Sequence, residues 1–107
     1  MSDPIETYVV KSPLGSLLYD FQYADMLGSN TLSGGESVSQ VAKLGRIAGS
    51  TNLTITAVNR SGTIVQARIA AGTVGEDYRV AATCTDSLGN TLVIYVVFQI
   101  REIPFEE

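Results

Sequence analysis

The segment AAGTVGEDYRVAATCTDSLGNTLVIYVVFQIR, residues 70–101, has the pattern of the closing hairpin of a β-sandwich. Gly72 and Gly75 supply the positive φ angles of a sharp corner. After it, Tyr78, Val80, Ala82 and Cys84 alternate with Arg79, Thr83 and Thr85, the period of two expected of a strand. Asp86-Ser87-Leu88-Gly89-Asn90 fits a type I turn followed by a left-handed glycine, so the strand from Thr91 must return antiparallel to residues 77–85. Tyr78 sits where sandwich folds place a tyrosine whose hydroxyl bonds back to nearby backbone, fixing how the chain crosses between sheets. An ordinary half-buried strand tyrosine is the other reading. Gly72, Gly75 and Tyr78 together are the candidate structural corner.

The last strand, Thr91 to Arg101, is apolar on both sides. Leu92, Ile94, Val96, Phe98 and Ile100 share one face, and Val93, Tyr95 and Val97 occupy the other. A small sandwich has one inner face to fill, so the second row implies a second contact surface. A partner subunit would supply it, which makes Val93, Tyr95 and Val97 a candidate interface. Folding of the N-terminal arm or of residues 24–35 over that face would serve equally.

Upstream, Thr63 to Ala70 and Asn52 to Val58 alternate as two strands around a turn at Asn59-Arg60-Ser61-Gly62. Gly34-Gly35 interrupts a weaker alternation and marks a bulge or a loop between strand pieces. Leu17, Tyr19, Phe21 and Tyr23 fall on one face of a further strand, and Ala24 to Leu27 has room for a helical turn. Thr7 to Lys11 is a short β-favouring run closed by Ser12-Pro13-Leu14-Gly15. The domain reading is an N-terminal arm and edge strand over residues 1–16, a sandwich over 17–103 and an acidic tail over 104–107.

At 107 residues this is one core's worth of chain. Seven Lys and Arg against eleven Asp and Glu give a net charge of −4, which repels a phosphate backbone and speaks against nucleic-acid binding. The start, MSDPIETYVV, has no basic segment leading into an apolar run, so neither a signal peptide nor a membrane partner is expected. With no His and with Lys11 and Lys43 as the only lysines, the options for a catalytic base and nucleophile are few. The expectation is no catalytic residue, no metal, no cofactor and no small-molecule substrate. Cys84, on the inward row of its strand, reads as structural. Glu76-Asp77, a carboxylate pair without calcium-ligand spacing around it, reads as a solvated turn.

Taken together, YVVKSPLGSLLYDFQYADML, a strand pair around a turn, and IAAGTVGEDYRVAATCTDSLGNTLVIYVVFQIRE resemble the small immunoglobulin-like structural proteins of tailed bacteriophages, among them the fiber-tail adaptor family. The best-matching motif is the corner Ala71-Gly72-Thr73-Val74-Gly75-Glu76-Asp77-Tyr78-Arg79-Val80. Its N-terminal counterpart is Asp20-Phe21-Gln22-Tyr23, where Phe21 and Tyr23 stand in a segment that commonly carries Trp in the family. The resemblance implies an all-β fold, an immunoglobulin-like antiparallel β-sandwich of about seven strands. It further implies a non-enzymatic protein made in the host cytoplasm and built into the virion, self-assembling as a homo-oligomer and touching other virion proteins in the neck or tail. A capsid decoration protein and a host-surface or carbohydrate-binding module are the alternatives.

Overall fold

The computed structural model describes residues 7–45 and 47–102. Residues 1–6 of the expected arm and the expected tail over 104–107 lie outside the described residues. Within them the chain forms β1 (Thr7–Lys11), β2 (Ser16–Gln22), α1 (Ala24–Leu27), β3 (Leu32–Lys43), β4 (Leu53–Ser61), β5 (Ile64–Ala71), β6 (Asp77–Asp86) and β7 (Thr91–Ile100). The strands make two sheets, ordered β1-β7-β6-β3 and β2-β5-β4. Their inner faces meet in an apolar core. The protein is therefore an all-β sandwich.

The alternation read along the chain becomes the two halves of that core. Val80, Ala82 and Cys84 of β6 and Phe98 and Ile100 of β7 are fully buried from one sheet, and Val65, Ala67 and Ile69 of β5 from the other. Aromatic groups stitch the layers together. Tyr19 of β2 stands edge-on to Phe98 at 4.9 Å between ring centres, an orientation favoured by the ring quadrupoles. Tyr23, just beyond β2, donates its hydroxyl proton to the Ala82 carbonyl at 2.5 Å. Burial, and then the nearby Cys84 thiol, push the Tyr23 hydroxyl well above its ordinary pKa. Around neutral pH the hydroxyl therefore keeps its proton and remains a donor.

Two local expectations need correction, the uniform antiparallel pairing and the place of the β4–β5 turn, and two are met, the bulge at Gly34-Gly35 and the β6–β7 turn. The pairing is not antiparallel throughout, because β1 runs parallel to β7, with Thr7 opposite Val96 and Lys11 opposite Ile100. The Gly34-Gly35 break is a bulge within one continuous strand, β3, whose register against β6 shifts on either side of Gly34. The β4–β5 turn sits later than Asn59-Arg60-Ser61-Gly62. Ser61 pairs with Ile64, leaving Gly62 and Thr63 as a two-residue loop with Gly62 at φ 60°. Two-residue hairpins need a positive φ at their first loop position, and the glycine was available one step on. The β6–β7 turn has Gly89 at φ 87° and its amide on the Asp86 carbonyl at 3.0 Å. Asp86 anchors it by accepting from the Leu88 and Asn90 amides at 3.0 and 2.8 Å.

The two long sides of the sandwich differ. On one, β3 and β4 are clasped across the sheets. Gln40 accepts from the Leu53 amide at 2.8 Å and donates to Asn52 at 3.1 Å, while Arg60 pairs with Glu36 at 3.2 Å. On the other side lie β1 and β2, the remaining edge strands of the two sheets.

Candidate functional site

The outer face of β7 is less available than its sequence implies. Val93 and Tyr95 are half-buried, whereas Val97 has no exposed surface at all. By register Val97 lies between Tyr8 on β1 and Arg79 on β6, so two long side chains flank the valine on its own face. Val97 is thus removed from the surface offered to a partner. What β1 takes from that surface it partly returns, since Tyr8 and Val10 stand on the same face and are 59% and 54% exposed. Sequence reasoning missed both, because the local pattern of Thr7 to Lys11 does not show which strand it joins.

At the corner, Gly72 and Gly75 adopt φ of 106° and 90°. Tyr78 is fully buried, and its hydroxyl donates to the Thr51 carbonyl at 2.6 Å and accepts from the Thr73 amide at 2.8 Å. It therefore ties the chain entering β4 to the chain leaving β5. The backbone closes the same region, with the Gly75 amide on the Ile100 carbonyl at 2.8 Å and the Ile100 amide on Glu76 at 3.0 Å.

The Glu76-Asp77 pair is not a solvated turn. Glu76 is fully buried, and its carboxylate accepts from the backbone amides of Gly45, Ile47 and Asp77, the last two at 3.0 Å. A side chain at position 45 would run into that carboxylate, which is why glycine stands there. Asp77 pairs with Arg101 at 2.8 Å. The Glu76 carboxylate is the hub on which the loop after β3 is wound. Its missed signal was the run of amide donors, invisible in a pattern of residue types.

These bonds have a pH consequence. Burial alone would raise the Glu76 carboxyl, but the amides of Ile47, Asp77 and Gly45 and the Ser50 hydroxyl outweigh it and hold the group below its ordinary value. Asp86 is depressed in the same way, burial being outweighed by Asn90, Leu88 and Asn30. A carboxyl with a depressed folded pKa contributes stability that is fully present above its unfolded value, about 4.3 for Glu, and lost as pH falls through the lower folded value. Urea midpoints measured from about pH 6 down to about pH 2 should fall steeply in the wild type. Glu76→Gln should start lower and fall less. Parallel acid limbs in the two proteins would show that the Glu76 carboxylate does not carry this dependence.

Between β1 and β2 the sandwich is open. A cleft of about 260 Å³ runs between the sheets there, with Val9, Ile94 and Val96 on one wall and Tyr19 and Phe21 on the other. Thr7, Asp20 and Gln22 form its polar rim. Leu14 in the β1–β2 connection is 92% exposed, and Leu17 and Leu18 at the start of β2 are exposed as well.

A family model described as podophage GP4 fiber-tail adaptor protein gp77 matches residues 11–99. The chain belongs to this adaptor family. It is accordingly a structural protein of the phage tail, a virion component. Comparison with curated proteins gives no match. The span that matches the adaptor family begins at the last residue of β1 and ends at Gln99, so it takes in both sheets, the corner and the β2 wall of the cleft. Tyr8 and Val10, the exposed residues that β1 adds beside β7, precede it.

Proposed function

We propose that this chain acts without catalysis, as an adaptor that self-associates and joins other proteins at the neck or tail of the virion. The observation that carries this reading is the adaptor-family match over residues 11–99, which spans nearly the whole sandwich. The surface supports it. Val93 and Tyr95 on β7 continue into Tyr8 and Val10 on β1, giving an apolar strip on the outer face of the four-stranded sheet that a neighbouring subunit would cover. Burial of such a strip is worth about 25 cal/mol for each Å² removed from water. A ring or other closed symmetric oligomer achieves this without leaving unpaired subunits. Nucleic acid, membrane and small-molecule substrates have no part in it.

The test has two arms. Antibody labelling of purified virions should place the chain at the neck or tail, and label confined to the capsid surface would favour a decoration role. Sedimentation of the purified protein should show self-association that Tyr95→Asp weakens by about tenfold or more, since a carboxylate would be stranded in the apolar contact. Tyr95 pairs with Ala81 on a half-buried face, so the variant should remain folded. A wild-type protein that stays monomeric at high concentration would remove the self-association.

A further inference from the structure

We infer that the free edge of β2 receives an extended segment of another virion polypeptide as an added strand, whose alternate apolar side chains enter the cleft between the sheets and whose lysine or arginine meets Asp20. The inference rests on the adaptor reading only for the existence of such a partner; the surface itself is read from geometry.

The backbone fixes which groups are on offer. The Tyr23 amide bonds to the Thr63 carbonyl at 2.9 Å, and the β2–β5 register is unbroken from Ser16 to Gln22. In an antiparallel ladder, residues alternate between turning both N–H and C=O to the partner and turning both away. Tyr23, Phe21 and Tyr19 therefore face β5, and Leu18, Asp20 and Gln22 direct their amides and carbonyls outward. Among the described residues no strand lies on that side. Of the other edges, β4 is clasped to β3, β3 carries register shifts that spoil it as a template, and β1 is only five residues long.

The cleft supplies the side-chain half of the recognition. A strand laid beside β2 continues its sheet over Val9, Ile94 and Val96, and the cleft has room there for more than one aliphatic side chain. Main-chain bonds would give such a complex its affinity, and the pockets for alternate residues its selectivity. Charge narrows the partner further. Asp20 is the one charged residue among the described residues lining the cleft, it is exposed, and the chain carries a net charge of −4. An acidic segment would be repelled, so the segment that fits is apolar on one face and basic on the other. A second copy of β2 does not fit. Its inward row is spent on its own core, with Phe21 and Tyr23 buried and Tyr19 packed on Phe98, which leaves Leu17 as the one exposed residue of the row to place in the cleft.

The experiment uses the full chain and a synthetic probe, the capped peptide Lys-Val-Thr-Val-Lys-Val-Thr-Val-Lys, followed by residue-resolved amide hydrogen exchange. Binding is expected to slow exchange at Leu18, Asp20 and Gln22 by about tenfold or more, and to leave Tyr19 and Phe21, already bonded to β5, unchanged. N-methylation of alternate probe residues should abolish the effect without touching the protein. Asp20→Lys, a change at an exposed position, should transfer the preference to the same peptide with Glu for Lys. Protection on β1 or on the Val93–Tyr95 row instead, or none at millimolar probe, overturns the proposal. So does protection of these three amides in the peptide-free protein accompanied by dimer in sedimentation, which would mean that a second copy closes the edge. Virion labelling is independent of all these outcomes, so failure of the adaptor reading and failure of strand addition are told apart.

Discussion

Gly72→Val is expected to lower the thermal unfolding midpoint by about 20 °C, the largest effect of any single substitution considered for this protein. Two terms add. At φ 106° an L-residue is strained by about 1–3 kcal/mol, and a β-branched one sits at the upper end. The added Cβ would also lie 2.9 Å from Ile100 Cγ1 and 3.1 Å from Leu53 Cδ2, both on buried core residues. Overpacking of this kind costs about 1–3 kcal/mol more. Some 4 kcal/mol in all is a large share of the roughly 5–15 kcal/mol that holds a domain folded, and at about 5 °C per kcal/mol it gives the stated shift. Gly89 separates the two terms. Its φ is 87° but nothing lies within 4 Å of its would-be Cβ, so Gly89→Val should show only the backbone strain. Equal losses at the two sites in melts followed by circular dichroism would remove the packing argument.

Tyr78→Phe should cost about 2 kcal/mol in urea unfolding, with an unchanged slope. A net hydrogen bond contributes about 1 kcal/mol, but the greater penalty comes from buried partners left without one. Here both the Thr73 amide and the Thr51 carbonyl would lose the Tyr78 hydroxyl. The phenyl ring that remains fills the same space, so the loss isolates the hydroxyl. Unchanged stability would mean that water replaces both bonds, and that Tyr78 is a strand tyrosine of no special consequence.

Period-two patterns were legible wherever the strand was flanked by glycine or turn residues. The β6–β7 hairpin and the β2 row are examples, because alternation and turn chemistry are local properties. Failures came where a residue's surroundings are supplied from far along the chain. Glu76 looked solvated because a glutamate beside glycine at a corner usually is, and the amides of Gly45 and Ile47 that receive it lie some thirty residues upstream. Val97 looked exposed because nothing in Thr7 to Lys11 says that this run lies beside β7. Lys11 is fully buried, its ammonium donating to the Ala71 carbonyl at 2.7 Å across the sheets, against every expectation for a lysine at a strand end. The candidate site shared this limit: its β7 row could be read, but the β1 residues that extend it and the cleft beside β2 exist only once the sheets are assembled.

The parallel pairing of β1 with β7 also bears on force. Because the two strands point the same way, the chain enters the pair at Thr7 and leaves it at Ile100, at opposite ends of the ladder. A pull applied through those two points runs along the strands and loads the rungs of the five-residue register together, in shear. An antiparallel arrangement of the same two segments would bring entry and exit to one end, where the rungs would part singly, like a zip. In a tail component strained between its neighbours, the direction of one short edge strand thus decides whether tension meets the whole ladder or a single bond at a time.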